Sequence, residues 1–380
     1  MFFNQLEYLV KKNVALALAI SAVTMSVQAQ SNTLKTAGNW EFYGRAHLAM
    51  ENQDDGNKYK QTNLTSNSSR VGLRGDKSFG DLKGIWQIES EVQFNRNEVA
   101  ASSGSTQAAD KAETNKFATR DTFAGVEGSF GQFKVGKFDT PMKVARGAAD
   151  LFGDQLGDMR NITRTGAKFD ERPNNIIQYQ SPAFSGIRVA LAHAPQSTGV
   201  VEMNTTTNVV KETSMTSMSV SYSAGDLTAA LATENYAKDH ADGERDATRL
   251  ALSYKVMNDL RLVGFYQNAS YMKAANDDQG SKVTGFGAEY QIIPNHTVLR
   301  AHVMDRSANK VNSDSKMTAI GIDRIISREL RFYANYAVVT NGSAVKVAPW
   351  SEGKADGSKV SPGANGKDTK GIALGMRYDF

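Results

Sequence analysis

From Trp40 onward the chain repeats segments of about ten residues in which apolar and polar positions alternate with period two, separated by clusters of Gly, Asn, Asp and Ser. In the first, Trp40, Phe42, Gly44, Ala46, Leu48 and Met50 share one face, and Glu41, Tyr43, Arg45, His47 and Glu51 the other. The second, Ser69 to Phe79, sets Val71 and Leu73 against Arg70, Gly72 and Arg74. The third, Leu82 to Phe94, opposes Leu82, Trp86, Ile88, Val92 and Phe94 to Lys83, Gln87, Glu89, Glu91 and Gln93. The fourth and fifth, Asp121 to Phe130 and Gln132 to Asp139, meet at Gly131. Ten more follow: Asn174 to Phe184, Gly186 to His193, Met215 to Ala224, Asp226 to Tyr236, Ala247 to Val256, Leu260 to Tyr271, Lys282 to Ile292, His296 to Arg306, Lys316 to Ile326 and Glu329 to Thr340. Thr369 to Phe380 closes the series at sixteen predicted strands.

The connections alternate between short and long. Short ones hold Gly80, Gly131, Ser185-Gly186, Gly225, Asn258-Asp259, Pro294-Asn295 and Ser327-Arg328. Long ones span Asn52 to Ser68, Asn95 to Thr119, Thr140 to Pro173, Ala194 to Ser214, Ala237 to Asp246, Met272 to Ser281, Ser307 to Ser315 and Asn341 to Asp368. This rhythm predicts an all-β fold: a 16-stranded antiparallel transmembrane β-barrel with short periplasmic turns and long extracellular loops. Hydrocarbon cannot satisfy backbone N–H and C=O groups, so the first strand must pair with the last. That last strand is regular: Ile372, Leu374, Met376, Tyr378 and Phe380 share one parity, and Gly371, Ala373, Gly375, Arg377 and Asp379 the other.

Composition narrows the reading. Lys11 and Lys12 precede an apolar run from Val14 to Ile20, and Val27-Gln28-Ala29 supplies a cleavage-site pattern. Residues 1–29 therefore read as a secretory signal peptide and 30–380 as the barrel domain. Residues 1–9 add an acidic Glu7 ahead of the lysines, which a leader does not need, so the start is expected at position 10. The absence of cysteine removes disulfides and thiolate chemistry. The net charge of +4 carries no nucleic-acid footprint. Negative mean hydropathy is compatible with a barrel, whose strands average lipid-facing and lumen-facing residues.

In order and spacing, the chain resembles the general porins of Gram-negative proteobacteria. The residues that carry the resemblance are Phe42-Tyr43-Gly44-Arg45, the run Ser68 to Gly75, Arg120 to Val126, Gly131 to Gly136, Asn175 to Pro182 and the terminal Tyr378-Asp379-Phe380. The resemblance implies passive diffusion of ions and small hydrophilic solutes through a water-filled lumen in the outer membrane. It also implies a homotrimer set among outer-membrane lipids and lipopolysaccharide, and a third loop folded inward. Phe380, Tyr378 and Met376 then resemble the terminal signal read by the outer-membrane assembly machinery. A substrate-preferring channel or a structural, adhesive barrel is the alternative.

Within the third long loop, Asp150, Asp154 and Asp158 recur at i, i+4 and i+8, which would put three carboxylates on one face of a short helix, although Gly153 and Gly157 weaken it. An inward loop would present them to the pore. Arg45, Arg70 and Arg74 have lumen parity and are the expected basic wall, with Lys134 added on the fifth strand. Arg120 shares the parity of Ala124 and Val126 and is expected at the outer rim. Acids facing bases across a narrow gap would favour polar solutes and set ion selectivity. Removing Glu7, Lys11 and Lys12 leaves 42 of 44 basic and 39 of 40 acidic residues, a hint of weak anion preference. No enzyme, cofactor or metal is expected: His47, His193, His240, His296 and His302 lie in no catalytic motif, and neither HExxH nor GxSxG occurs.

Overall fold

A computed structural model describes residues 38–94, 120–198, 201, 203–204, 209–240, 242–275, 277–350 and 362–380. The expected leader, residues 1–29, and the whole of the second long loop, residues 95–119, lie outside them. The strands are β1 (Asn39–Asp54), β2 (Lys60–Ser66 continued by Arg70–Phe79), β3 (Leu82–Glu91), β4 (Thr122–Gly128), β5 (Gly131–Lys137), β6 (Ile176–Gln180), β7 (Ile187–Ala194) and β8 (Met215–Ala224). They continue as β9 (Leu227–Tyr236), β10 (Arg245–Met257), β11 (Leu260–Ala274), β12 (Ser281–Ile293), β13 (Thr297–Ala308), β14 (Ser315–Ile325), β15 (Leu330–Asn341) and β16 (Thr369–Asp379). Each pairs antiparallel with its sequence neighbours, and β1 pairs with β16 from Arg45↔Asp379 to Asp54↔Lys370. The barrel is thus closed, with sixteen strands.

The chain reverses at the short turns through left-handed backbone, at Gly80 (φ 64°), Gly225 (φ 57°) and the pair Ser185-Gly186. Side chains alternate as expected. Phe42, Leu231, Phe286, Ile372 and Leu374 are exposed on the outside, where lipid replaces water. His47, Glu51, Arg249, Gln267 and Arg300 are buried on the inside.

The first long connection is shorter than expected. Instead of running from Asn52 to Ser68 it spans only residues 55–59, because Lys60–Ser66 pairs with the upper half of β1, from Leu48↔Ser66 to Asp54↔Lys60. Below it the ladder resumes at Arg45↔Arg70 with one extra residue on β2. This is a β-bulge, held by Ser69: its Oγ accepts from His47 N at 2.9 Å and donates to His47 O at 3.1 Å, while Ser68 takes a φ of 59°.

The seam is tied at its periplasmic end by the last residue. Gly44 N donates to Phe380 O at 2.7 Å and Phe380 N to Gly44 O at 3.0 Å. The Phe380 ring lies 6.1 Å from Phe42 and 5.6 Å from Tyr378. Deleting Phe380 removes two hydrogen bonds worth about 1–3 kcal/mol together, a small loss for a closed barrel. The expected outcome is a near-normal heat-modifiable band after refolding in detergent but a severe drop in surface-assembled protein in cells. Normal surface levels would show that the terminal aromatic is not an assembly signal.

Candidate functional site in the lumen

The third loop leaves β5 at Lys137 and returns at Ile176. Thr140 starts its first helix, α1 (Pro141–Ala145), by accepting from Lys143 N at 3.2 Å, with Pro141 where a missing N–H costs nothing. A 3-10 turn (Arg146–Ala148) and a second helical turn, α2 (Arg160–Thr163), follow. The loop lies inside the barrel. Met142 and Phe169 pack with Ala192, Met215, Ala230 and Ala247. Leu151, Phe152, Leu156, Met159 and Ile162 pack with Val263, Val283, Met304, Ala319, Ala337 and Ala373. Small wall residues make the room: a Cβ on Gly371 would stand 2.9 Å from the Leu156 side chain, and one on Gly321 2.9 Å from the Phe152 ring. Each large side chain buried here contributes about 1.5–3 kcal/mol to docking the loop.

Two wall arginines then fix it. Arg249, fully buried, forms a bidentate pair with Asp170 and donates to Met142 O at 2.9 Å and to Gln267 Oε1. Arg300 donates to Leu151 O, to Gln155 Oε1 at 3.0 Å and to Asp323 Oδ1 at 2.5 Å. Strand parity gives these arginines a lumen face, but sequence alone does not show that they meet the loop.

The three spaced acids do not share a helical face. Residues 150–158 form bends and turns, with Asp154 at φ 61° and Gly157 at φ 90°. Asp150 is held by Arg146 at 3.0 Å. Asp154 and Asp158 both take Arg160, at 2.5 Å each, and Asp158 Oδ2 also accepts from Asp154 N at 2.8 Å. Asp158 is wholly buried and braces the turn, whereas Asp154 keeps 23% of its side chain exposed and accepts from Ser68 Oγ across to β2. Burial pushes the Asp150 carboxyl up to about 6 despite Arg146. Burial acts the same way on Asp154, but Arg160, then Arg70 and Arg146, override it and hold that carboxyl far below its usual range.

Residues 138–175 contain six acids and six bases, so the loop is neutral as a whole. Asp139 pairs with Lys143 and Arg172, and Glu171 with Arg164 and Lys168.

On the wall, Arg45 and Arg377 share Asp379, at 2.5 and 2.7 Å. Arg300 and Arg331 share Asp323, at 2.5 and 3.9 Å. Arg70 lies 3.6 Å from Glu89, which also takes Arg120 at 2.7 Å. Arg120 therefore faces the lumen rather than the outer rim. It precedes β4, so the alternation of that strand does not apply to it. Arg74 is displaced from Arg70 by four residues, about 13 Å of strand, and pairs with Glu41 while lying 4.9 Å from the Tyr43 ring. Lys134 stands 4.1 Å from the Phe138 ring, at the loop's base. Arg45 and Arg70 lie within electrostatic reach of Asp154, whereas Arg74 pairs with Glu41 and Lys134 sits at the loop's base. A polar recess of about 350 Å³ beside the turn at Asp154 is lined by Glu51, Asn67, Ser68, Asp154, Arg160 and Arg164, among others.

A closed antiparallel barrel with an apolar outer face, a charged lumen and a loop folded into that lumen defines an outer-membrane β-barrel of the channel class. The chain belongs to the Gram-negative porin family, whose model matches residues 15–344. It is 23% identical over 383 residues to outer membrane porin protein 32 of Delftia acidovorans, covering 97% of this chain and 100% of that one. A match to the major outer membrane protein P.IA of Neisseria meningitidis, 27% identical, spans 36% of this chain and 30% of the relative's length. Among solved structures, the anion-selective porin from Comamonas acidovorans has the same fold, with a TM-score of 0.71 at 19% identity over 90% of this chain and 100% of that one. OmpT of Vibrio cholerae in its trimer form has a TM-score of 0.60 at 20% identity, over 91% and 100%. Family and fold are those of outer-membrane channels rather than enzymes.

Arg160 is the brace of the loop's turn. Arg160→Met would leave the buried Asp158 carboxylate unpaired, at a cost of about 3–5 kcal/mol. The expected outcome is faster amide exchange across residues 154–163, with protection of the barrel strands unchanged. Unchanged protection of the turn would show that Arg160 does not hold it.

Proposed function

We propose that the protein is a diffusion porin whose third loop narrows the lumen, with Asp154 on the loop opposed by Arg45 and Arg70 on the wall. Asp150 and Asp158 belong to the same acidic set but act mainly inside the loop, and Arg74 and Lys134 contribute less to the narrowest point. The observation that carries the reading is the charge balance. The loop carries as many bases as acids, while two wall aspartates, Asp379 and Asp323, are each shared by two arginines. Positive charge is therefore left over on the wall, and weak anion preference follows. The anion-selective structural relative is consistent with it.

The exchangeable charges give the test. In planar bilayers at low salt, Asp154→Asn should move the reversal potential toward anions, and the triple replacement of Asp150, Asp154 and Asp158 by Asn should add little to it. Arg45→Gln with Arg377→Gln should move it toward cations, and Arg74→Gln should move it little. These shifts should shrink near 1 M salt, where the Debye length is about 3 Å. A reversal potential indifferent to Asp154 and Arg45 would remove the constriction assignment.

The same reading makes the protein a homotrimer in the outer membrane, reached through cleavage of residues 1–29. Its subunit contact would use β1 to β5 and β16, where Trp40 and Phe42 are 62% and 58% exposed. Unheated samples in mild detergent should run as trimers. Trp40→Lys with Phe42→Lys should convert them to monomers with unchanged strand content. Monomers from the unmodified protein would contradict the contact.

A further inference from the structure

The first part of the eighth loop, residues 342–350, also enters the lumen. Val347 and Trp350, 5% and 4% exposed, belong to the same apolar cluster as Phe152, Leu156 and Met159 of the third loop. Among the described residues, one backbone hydrogen bond joins the two loops: Gly157 N donates to Pro349 O at 2.7 Å. Gly157 is the turn residue between Asp154 and Asp158. Its φ of 90°, and the 2.7 Å that would separate an added Cβ from Ala319 Cβ, place its backbone hard against the wall.

The eighth loop is itself held on rigid strand ends. Asn341, the last residue of β15, grips Val347 from both sides: Val347 N donates to its Oδ1 at 2.9 Å, and its Nδ2 donates to Val347 O at 2.9 Å. Thr369, the first residue of β16, donates to the same carbonyl at 2.8 Å. Both anchors are buried, Thr369 completely. The side-chain amide thus completes a two-hydrogen-bond bridge of the kind two strands make. Arg249 and Arg300 hold the third loop on its wall side, at residues 142, 151, 155 and 170. In the turn that carries Asp154, Gly157 N takes its partner from the eighth loop.

We infer that the eighth loop is a positioning element for the pore: the Asn341–Val347 clasp seats Pro349 and Trp350 against Gly157 and so fixes where Asp154 stands in the lumen. Trp350 and Asn341 act through the third loop and need not touch the permeating solute. This rests on the constriction reading above.

The test is a set of double replacements read by reversal potential at low salt. The shift caused by Asp154→Asn is measured in the unmodified protein, in Trp350→Ala, in Asn341→Ala and in Lys346→Ala, the last an exposed position on the same loop. In both clasp variants the shift should fall by half or more, open-channel current noise should rise, and the Gly157 amide should exchange at least tenfold faster. In Lys346→Ala the shift should be unchanged. Heat-modifiable mobility identifies any variant that fails to fold, and Asn341→Ala serves if Trp350→Ala does not assemble. A full Asp154→Asn shift in folded clasp variants would overturn the positioning role while leaving the constriction standing. No shift in any background would remove the constriction and, with it, the functional role of the clasp. Unchanged Gly157 exchange in the clasp variants would overturn the contact itself.

Discussion

One constraint organises the whole molecule: backbone polar groups inside hydrocarbon must all be bonded within the protein. A sheet meets that requirement only if it has no edge, so β1 must find β16. The register from Arg45↔Asp379 to Asp54↔Lys370 and the Gly44–Phe380 pair complete the ring. The strict alternation of the sequence follows from it. A strand between lipid and water must present apolar side chains on one side and polar ones on the other, and a slip of one residue would invert both faces.

Closure creates an aqueous interior, and that interior sets the second problem. A loop placed inside it needs an apolar seat and must not leave buried charge uncompensated. The seat comes from Ala and Gly on the inner faces of the later strands, under Phe152 and Leu156. The compensation comes from within the loop, where Arg146 and Arg160 neutralise the acids beside them, and from the wall, where Arg249 meets Asp170. Because the loop carries as many bases as acids and adds no net charge, the character of the passage shifts to the arginines shared around Asp379 and Asp323.

The strands were legible because alternation is enforced along every membrane-spanning stretch: Met215–Ala224 is found where the pattern puts it, and most other ends move by one to three residues. The exceptions have physical causes. Lys60–Ser66 is polar on both faces except for Leu64, so no alternation marks it as a strand. Arg120 was misplaced because parity holds only inside a strand and it lies before one. The spacing of Asp150, Asp154 and Asp158 suggested a helix, but left-handed backbone at Asp154 and Gly157 dissolves that face. Arg249 and Arg300 have no local signature, since their partners lie 79 and 149 residues away and only the fold brings them together.

On this reading the lumen is open, narrowed by the third loop, with surplus positive charge on its wall. Purified, unmodified protein recorded in a planar bilayer under a tenfold potassium chloride gradient at low salt tests it most directly. Stable open channels are expected, with a zero-current potential of the same sign as chloride's. Stable channels with the sign of potassium's would contradict the charge argument, and an absence of conductance from folded protein would contradict the open lumen itself.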